Sequence, residues 1–224
     1  MNNLIEIKNL IKSYDNSNIN VLKNINLIVN RGDFISIIGP SGSGKTTLLN
    51  IIGILDTFNN GQYFFNNIDA KNLHEKDKNI FRNRNIGFIH QYHYLIPELT
   101  TIENVILPML IANYDYNESI KKAEILLNEF NLKDKINSKT KLLSGGEQQR
   151  VSIARAMINS PDLIIADEMT GNLDEENSNN IFEFFVEKAS IKKQTIIFVT
   201  HNIKLAGKAK LKYKLENGIL QKYN

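Results

Sequence analysis

The sequence has no cysteine. That removes disulfides and thiolate metal sites and fits a reducing compartment. Long apolar runs are missing as well: the longest candidates, residues 105–112 and 51–55, fall far short of the ~18 residues a bilayer-spanning helix needs. Any membrane association is therefore expected to be peripheral. The opening residues Met1-Asn2-Asn3-Leu4-Ile5-Glu6 lack a basic start followed by an apolar stretch, so no signal peptide is expected. Neither charge dominates. The 27 basic and 24 acidic residues leave a net charge of +3, too small to argue for a nucleic-acid partner despite a pI of 8.9. Internal repeats and linker-like low-complexity segments are absent too. What is present is ordinary for a folded protein: 224 residues, 42% hydrophobic and 23% charged, enough for one large domain or two lobes sharing a core.

The most informative stretch is Gly39-Pro40-Ser41-Gly42-Ser43-Gly44-Lys45-Thr46-Thr47, which reads G-x-x-x-x-G-K-[ST]. An apolar run, Phe34-Ile35-Ser36-Ile37-Ile38, precedes it with the texture of a buried strand. The run from Lys45 to Ile52 follows with the spacing of a helix. Glycines let the backbone wrap closely, so that successive N–H groups point at an anion. The helix N-terminus adds its partial positive charge. In such a loop Lys45 reaches the outer phosphates and the Thr46 hydroxyl holds Mg²⁺.

Residues 4–10 and 21–29 read as strands, the second with Ile25, Leu27 and Val29 on one face and Asn24, Asn26 and Ile28 on the other. Tyr14 lies between them. Its position alone favours a core tyrosine over a ring stacked on a purine. Residues 62–65 look like a hairpin strand and 77–84 like an exposed helix. Residues 86–90 form a short apolar strand leading to Gln91, at the kind of strand end where parallel sheets bind ligands. A helical lobe is expected from 92 to 150. Thr100 and Glu103 form a capping box, and Pro108 is expected to kink or end the helix they open. A second helix is expected from Asn117, with Ile120, Ala123, Leu126, Leu127 and Phe130 on one stripe.

Leu143-Ser144-Gly145-Gly146-Glu147-Gln148-Gln149-Arg150 contains another capping box, from Ser144 to Glu147. Two glycines in a first turn cost a helix about 1 kcal/mol each relative to alanine. A plain cap does not need them, whereas a backbone approached by phosphate does. Pro161 is expected to end that helix. Residues 163–168, Leu-Ile-Ile-Ala-Asp-Glu, form an apolar strand closing on two carboxylates. Neighbouring strand residues face opposite ways, so Asp167 and Glu168 are expected to take separate tasks, one on Mg²⁺ and one on a water. Residues 194–199 are another buried strand, ending at Thr200-His201, a strand-end position like those of Gln91 and Glu168. His74 and His90 are read as structural. Asn217-Gly218 signals a hairpin. Lys208, Lys210, Lys212 and Lys214 alternate as on the solvated face of an edge strand.

Taken together, these stretches resemble the Walker A, signature, Walker B and switch-histidine motifs of ABC transporter ATPase subunits, over essentially the whole chain. The resemblance implies an α/β fold: a P-loop NTPase (RecA-like) core with a mostly parallel sheet (residues 1–91 and 151–224), an N-terminal antiparallel β part, and the inserted helical lobe (92–150). It implies ATP and Mg²⁺ as ligands. Residue by residue, Tyr14 stacks on adenine, and Gly39, Pro40, Ser41, Gly42, Ser43, Gly44, Lys45, Thr46 and Thr47 bind the phosphates. Thr46 and Gln91 coordinate Mg²⁺ with support from Asp167. Glu168 is the general base and His201 contacts the γ-phosphate. Ser144, Gly145, Gly146 and Gln148 bind the ATP held by a second copy of the chain, and Asp174 lies in a loop at that dimer interface.

Within the family, residues 87–97, the run Thr101-Ile102-Glu103-Asn104-Val105 with Pro108, and residues 167–174 resemble the lipoprotein-releasing ATPases of Gram-negative bacteria and their macrolide-exporter relatives, with His93 favouring the former. This implies a peripheral place on the cytoplasmic face of the inner membrane and an integral membrane partner contacted near residues 92–97. Met169 stands where the family usually has proline, and Asn202 where an acidic residue usually follows the histidine. Two rival readings are a soluble mechanical ABC ATPase and a cell-division ATPase serving mainly as a scaffold. The first usually carries a coiled coil or two ATPase modules, and here Gln91 and Ser144 are only 144 − 91 = 53 positions apart.

Overall fold

The structure, a computed structural model, describes residues 3–14, 20–171, 175–191 and 193–223. The chain forms two compact units, residues 1–79 with 193–224, and residues 80–192. The first begins with β1 (Asn3–Ser13), β2 (Asn20–Asn30), β3 (Phe34–Ile38), α1 (Lys45–Ile52), β4 (Asn60–Phe65) and β5 (Ile68–Asp69), followed by α2 (Glu75–Asn85), which runs across the division in sequence. The second contains β6 (Ile86–Ile89), α3 (Thr101–Ile111), α4 (Tyr116–Glu129), α5 (Gly145–Met157), β7 (Leu163–Asp167) and α6 (Glu175–Ile191). The chain then completes the first unit with β8 (Thr195–Val199), α7 (Ile203–Gly207), β9 (Leu211–Glu216) and β10 (Ile219–Tyr223).

In the first unit β2, β1, β4 and β5 form an antiparallel sheet in that order. Ile25, Leu27 and Val29 are buried while Asn24, Asn26 and Ile28 face out, so the alternation in the sequence sets the register. Where that register shifts, between Ile7 and Leu10 and across from them, Asn9 and Asn24 take positive φ of 49° and 54°. Asparagine tolerates this conformation better than most residues, and it lets the strands bulge. The same unit holds parallel pairing: β3 lies between β8 and β9, parallel to both, with Ile37 opposite Val199 and Tyr213. β8 is buried at every residue, which explains its unbroken Thr-Ile-Ile-Phe-Val run. The one polar side chain in mid-β3, Ser36, donates to the Ala206 carbonyl at 3.0 Å. β9 and β10 form a hairpin whose two turn residues, Asn217 (φ 50°) and Gly218 (φ 78°), have the positive angles of a type I′ turn.

In the second unit β6 and β7 pair in parallel, Ile86 opposite Leu163 and Ile89 opposite Ala166. A side chain on Gly87 would overlap the Ala156 carbonyl oxygen, so glycine is what lets α5 lie against β6. Both capping boxes are present: Thr100 with Glu103 opens α3, and Ser144 with Glu147 opens α5. α4 is capped by Asp115 and buries Ser119, Ala123, Leu126 and Leu127. α6 buries Ile181, Phe182, Phe185 and Ala189, and Phe184 meets Phe130 edge to face at 5.0 Å.

Several expectations need correction. α3 runs three residues past Pro108, so of the two expected outcomes the helix does not end there; the proline leaves the Asn104 carbonyl without its usual helical donor. α4 starts at Tyr116, because Asp115 and not a later residue supplies the cap. α5 stops at Met157, ahead of Pro161, and the chain turns at Ser160 with φ of 52°. The four alternating lysines do not share an edge strand. Lys208 and Lys210 precede β9, and β9 is interior, hydrogen-bonded to β3 on one side and β10 on the other.

Candidate active site

The loop expected to bind phosphate is built in the first unit. β3 ends at Ile38, α1 begins at Lys45, and between them Gly42 (φ 74°) and Gly44 (φ 99°) take conformations that side chains disfavour. Gly44 is the N-cap and makes no side-chain cap hydrogen bond to the helix. Lys45 is nearly buried. Its ammonium donates to the Gly39 and Pro40 carbonyls at 3.0 and 2.9 Å, held across the loop. Ser43 Oγ is buried with no hydrogen-bond partner among the described residues. An orphaned hydroxyl inside a turn of N–H donors fits an oxyanion, because a buried polar atom left unpaired costs about 1–3 kcal/mol.

Tyr14 is not a core residue: it is 45% exposed, which corrects the expectation drawn from its position. Its hydroxyl donates to Asp56 Oδ2 at 2.7 Å and lies 3.4 Å from Thr47 Oγ1, within the phosphate loop's own helix. Lys12 closes the cluster, with its ammonium 2.8 Å from Asp56 and 4.5 Å from the Tyr14 ring centre. Partial burial pushes the Asp56 carboxyl up, but hydrogen bonds from Lys12, Tyr14 and the Thr57 N–H outweigh it and hold the group below its ordinary value. Asp56 could not be found from the sequence, since nothing local marks it as the partner of residues more than forty positions away.

His201, in the same unit, is exposed just beyond β8. The next residue, Asn202, caps α7 by accepting from the N–H groups of Lys204 and Leu205 at 2.9 and 3.3 Å. Asparagine and aspartate cap helices equally well, so this departure from the family's acidic residue keeps the local fold.

The second unit carries the carboxylates. β7 delivers Asp167, half-buried, at its end. Glu168 lies outside the strand with φ of 46°. The expected alternation of faces therefore does not apply to it. A left-handed residue re-aims the chain, and the following turn is closed by the Gly171 N–H donating to the Glu168 carbonyl at 2.8 Å. That turn brings Gly171 against Gln91: a β-carbon there would lie 2.9 Å from Gln91 Nε2. Met169, in the family's proline position, is buried. Asp174 lies outside the described residues. His90 stacks flat on Phe88 at 5.7 Å and meets Tyr94 edge-on at 5.3 Å. Burial holds its imidazole below the ordinary value; Asp167 opposes this and Arg155 adds to it.

Residues 92–97 carry an exposed apolar surface, with Tyr92 63% and Tyr94 66% exposed and Ile96 also outward. They are nonetheless fixed. The side chain of Asn104, fully buried in α3, accepts from the Ile96 N–H at 2.8 Å and donates to the Ile96 and Thr100 carbonyls, both at 3.0 Å. Thr140 Oγ1 adds a bond to the Ile96 carbonyl at 3.0 Å. A cavity of about 340 Å³ beside this segment is lined by His93, Tyr94, Leu95, Pro97, Lys141 and Gln148, among others. An asparagine inside the apolar run of α3 was the available sign of such a clamp, and sequence reasoning passed over it. At the head of α5, Ser144 and Gly145 are exposed, and a β-carbon on Gly146 would meet nothing closer than an Arg150 nitrogen at 4.0 Å. The fold itself therefore has no need of glycine at 146.

The family model described as "ABC transporter" matches residues 22–171. The chain is 45% identical over 223 residues to the lipoprotein-releasing system ATP-binding protein LolD of Rickettsia prowazekii, covering 98% of this chain and 99% of that one. It is 47% identical over 200 residues to LolD of Aquifex aeolicus, covering 89% and 87%. Among solved structures it is similar to the dimeric ATP-binding cassette MJ0796 bound to ADP and Pi, with 37% identity, a TM-score of 0.86, and 98% and 99% of the two chains covered. This chain belongs to the ABC transporter family, among its LolD-type ATPase subunits.

Proposed function

We propose that this ATPase powers the release of lipoproteins from the inner membrane through a separate membrane subunit, working at the cytoplasmic face as a pair of copies. The observation that carries this reading is similarity over nearly the whole chain to proteins named for that system. A macrolide-exporter-like complex is the second reading, since residues 87–97 also resemble that group, and a cell-division complex is a further rival. Identification of the membrane subunit that co-purifies with the chain decides between them. Capture of a lipoprotein-releasing permease supports the first reading, and capture of an exporter or division protein refutes it.

The proposed roles are those that the family resemblance implies, and the geometry of the loop at residues 39–45 supports the phosphate-binding ones. The amides of residues 39–44 and the ammonium of Lys45 bind the phosphates, with the Ser43 hydroxyl as a further donor. Tyr14 stacks on the base, and Thr47 continues the loop. Glu168 takes the proton of the attacking water as general base, and His201 contacts the γ-phosphate. Mg²⁺ fits the donor set. Among the described residues no group of three His, Cys, Asp or Glu could hold a metal alone, which suits an ion that takes most of its oxygens from phosphates and water. Thr46, Gln91 and Asp167 would hold it, and the ion would supply neutralisation of charge on the phosphate oxygens. Ser144, Gly145, Gly146 and Gln148 of one copy meet the ATP of the other, with Asp174 near that interface.

Two results are expected. A Glu168→Gln chain, unable to hydrolyse, pairs when ATP is added, because the turn at Ser144 on each copy closes the site of the other. Sedimentation checks this, and a monomer at high protein concentration with saturating Mg-ATP counts against it. Replacing Tyr94 and Leu95 together with alanine weakens capture of the membrane partner by at least tenfold while basal hydrolysis by the isolated chain survives. Truncating an anchor at a contact of this kind costs about 1–2 kcal/mol or more. Lost hydrolysis with unchanged capture would place the two side chains in the fold's own packing.

A further inference from the structure

Arg155 has a position on α5 that the buried stripe Val151, Ala154 and Ile158 does not explain. Its guanidinium makes two bonds of 2.7 Å, Nη1 donating to the Tyr94 carbonyl and Nη2 to the His93 carbonyl. The acceptors are consecutive backbone groups in the segment directly behind Gln91. Both bonds come from one planar fork, which a lysine cannot reproduce because it offers a single point charge on a flexible stem. The segment they hold is strained: Tyr94 has φ of 46°, a conformation that a non-glycine residue keeps only where its surroundings impose it. Two residues on, Asn104 and Thr140 grip Ile96. The exposed rings of Tyr92 and Tyr94 therefore project from a segment bolted to α5 at one end and to α3 at the other.

The same α5 begins at the Ser144 turn. Arg155 lies 155 − 144 = 11 positions along from that turn, roughly 16 Å at 1.5 Å per residue. A helix of this length is stiff, and its grip on the Tyr94 carbonyl leaves no slack.

We infer that Arg155 is a positioning residue that makes residues 92–97 and the Ser144-Gly145-Gly146 turn one mechanical piece, so that a load placed on Tyr94 and Leu95 by the membrane subunit reaches the turn that meets ATP on the second copy. This rests on the functional reading above, which gives those two ends their partners. It adds the part that connects them. Hydrolysis by the isolated chain does not depend on the connection, whereas stimulation by the partner does.

The chain has no tryptophan, so Tyr92→Trp places a single indole on the segment. In the Glu168→Gln background, acrylamide quenching of that indole is measured with and without Mg-ATP while sedimentation follows pairing. With Arg155 present, ATP changes the quenching. With Arg155→Met, which keeps a stem of similar bulk, the chain still pairs and the change disappears; Arg155→Lys loses most of it and serves as the folded control if the methionine variant is unstable. In the reconstituted complex, with Tyr92 and Glu168 unaltered, Arg155→Lys keeps partner capture and basal hydrolysis within about twofold and loses about tenfold in stimulated hydrolysis. An indole that responds to ATP equally without Arg155 overturns the inference. So does an equal proportional fall in basal and stimulated rates. A chain with Arg155 intact that neither pairs on ATP nor captures a membrane subunit overturns the functional reading itself, visibly before Arg155 is changed, and the inference falls with it.

Discussion

Glu168→Gln is expected to leave ATP binding nearly unchanged and to slow turnover by about 10²–10⁴-fold, the contribution of a positioned general base. The substitution is close to isosteric. It keeps the half-buried site and removes only the capacity to take a proton. Its backbone should not move, because the left-handed conformation at 168 is held by the turn whose Gly171 N–H donates to the Glu168 carbonyl at 2.8 Å. Steady-state hydrolysis measured beside equilibrium nucleotide binding checks the claim. A near-normal rate would transfer the base to another group. Loss of binding in step with the rate would show that the side chain supports the site's shape and not its chemistry.

Gly39→Ala is expected to destabilise the fold by about 3 kcal/mol or more, at the upper end of what forced overpacking costs, and to abolish ATP binding with it. The reason is not a turn angle, since Gly39 has no positive φ. A β-carbon there would overlap the Leu215 carbonyl oxygen and come within 2.9 Å of Ser43 Oγ. Leu215 belongs to β9, whose ladders to β3 and β10 leave its backbone nowhere to go. Gly207→Ala is the control. Nothing lies within 4 Å of that position and its φ is not positive, so alanine there should be neutral or slightly stabilising. Urea midpoints of the two variants should differ widely; similar midpoints would mean that the loop can retreat from β9.

The contrast between those glycines shows where the sequence was readable. The loop from Gly39 to Lys45 announced both its flanking elements and its ligand class, since the glycines, the lysine and the neighbouring apolar runs all lie within one short window. β3, α1 and the hairpin at Asn217-Gly218 were legible for the same reason: their causes are local. The capping boxes at Thr100 and Ser144 fixed two helix starts because the spacing of cap and carboxylate is itself the mechanism. What remained hidden depends on partners far away in sequence. Gly39 looked like a residue freed for phosphate, while its packing partner is a carbonyl of the penultimate strand. Tyr14 looked like core because its hydroxyl partner, Asp56, lies 42 positions on. The lysines near the C-terminus looked like an edge because alternation reports faces and says nothing of which strands stand on either side. Glu168 was assigned a strand geometry that its positive φ denies, a fact no residue pattern around it encodes.

The way Tyr14 is held bears on which nucleotides the chain will accept. Its hydroxyl is engaged with Asp56 and the Lys12 ammonium lies over the ring. In the stacking role proposed for it, the residue would offer a base one flat aromatic surface. Stacking of that kind is tolerant, since every purine and pyrimidine has a face to present. Telling adenine from guanine requires hydrogen bonds to the exocyclic groups at position 6, and Tyr14 contributes none. If Tyr14 takes the stacking role proposed for it, preference for one nucleoside triphosphate over another must come from groups other than this ring.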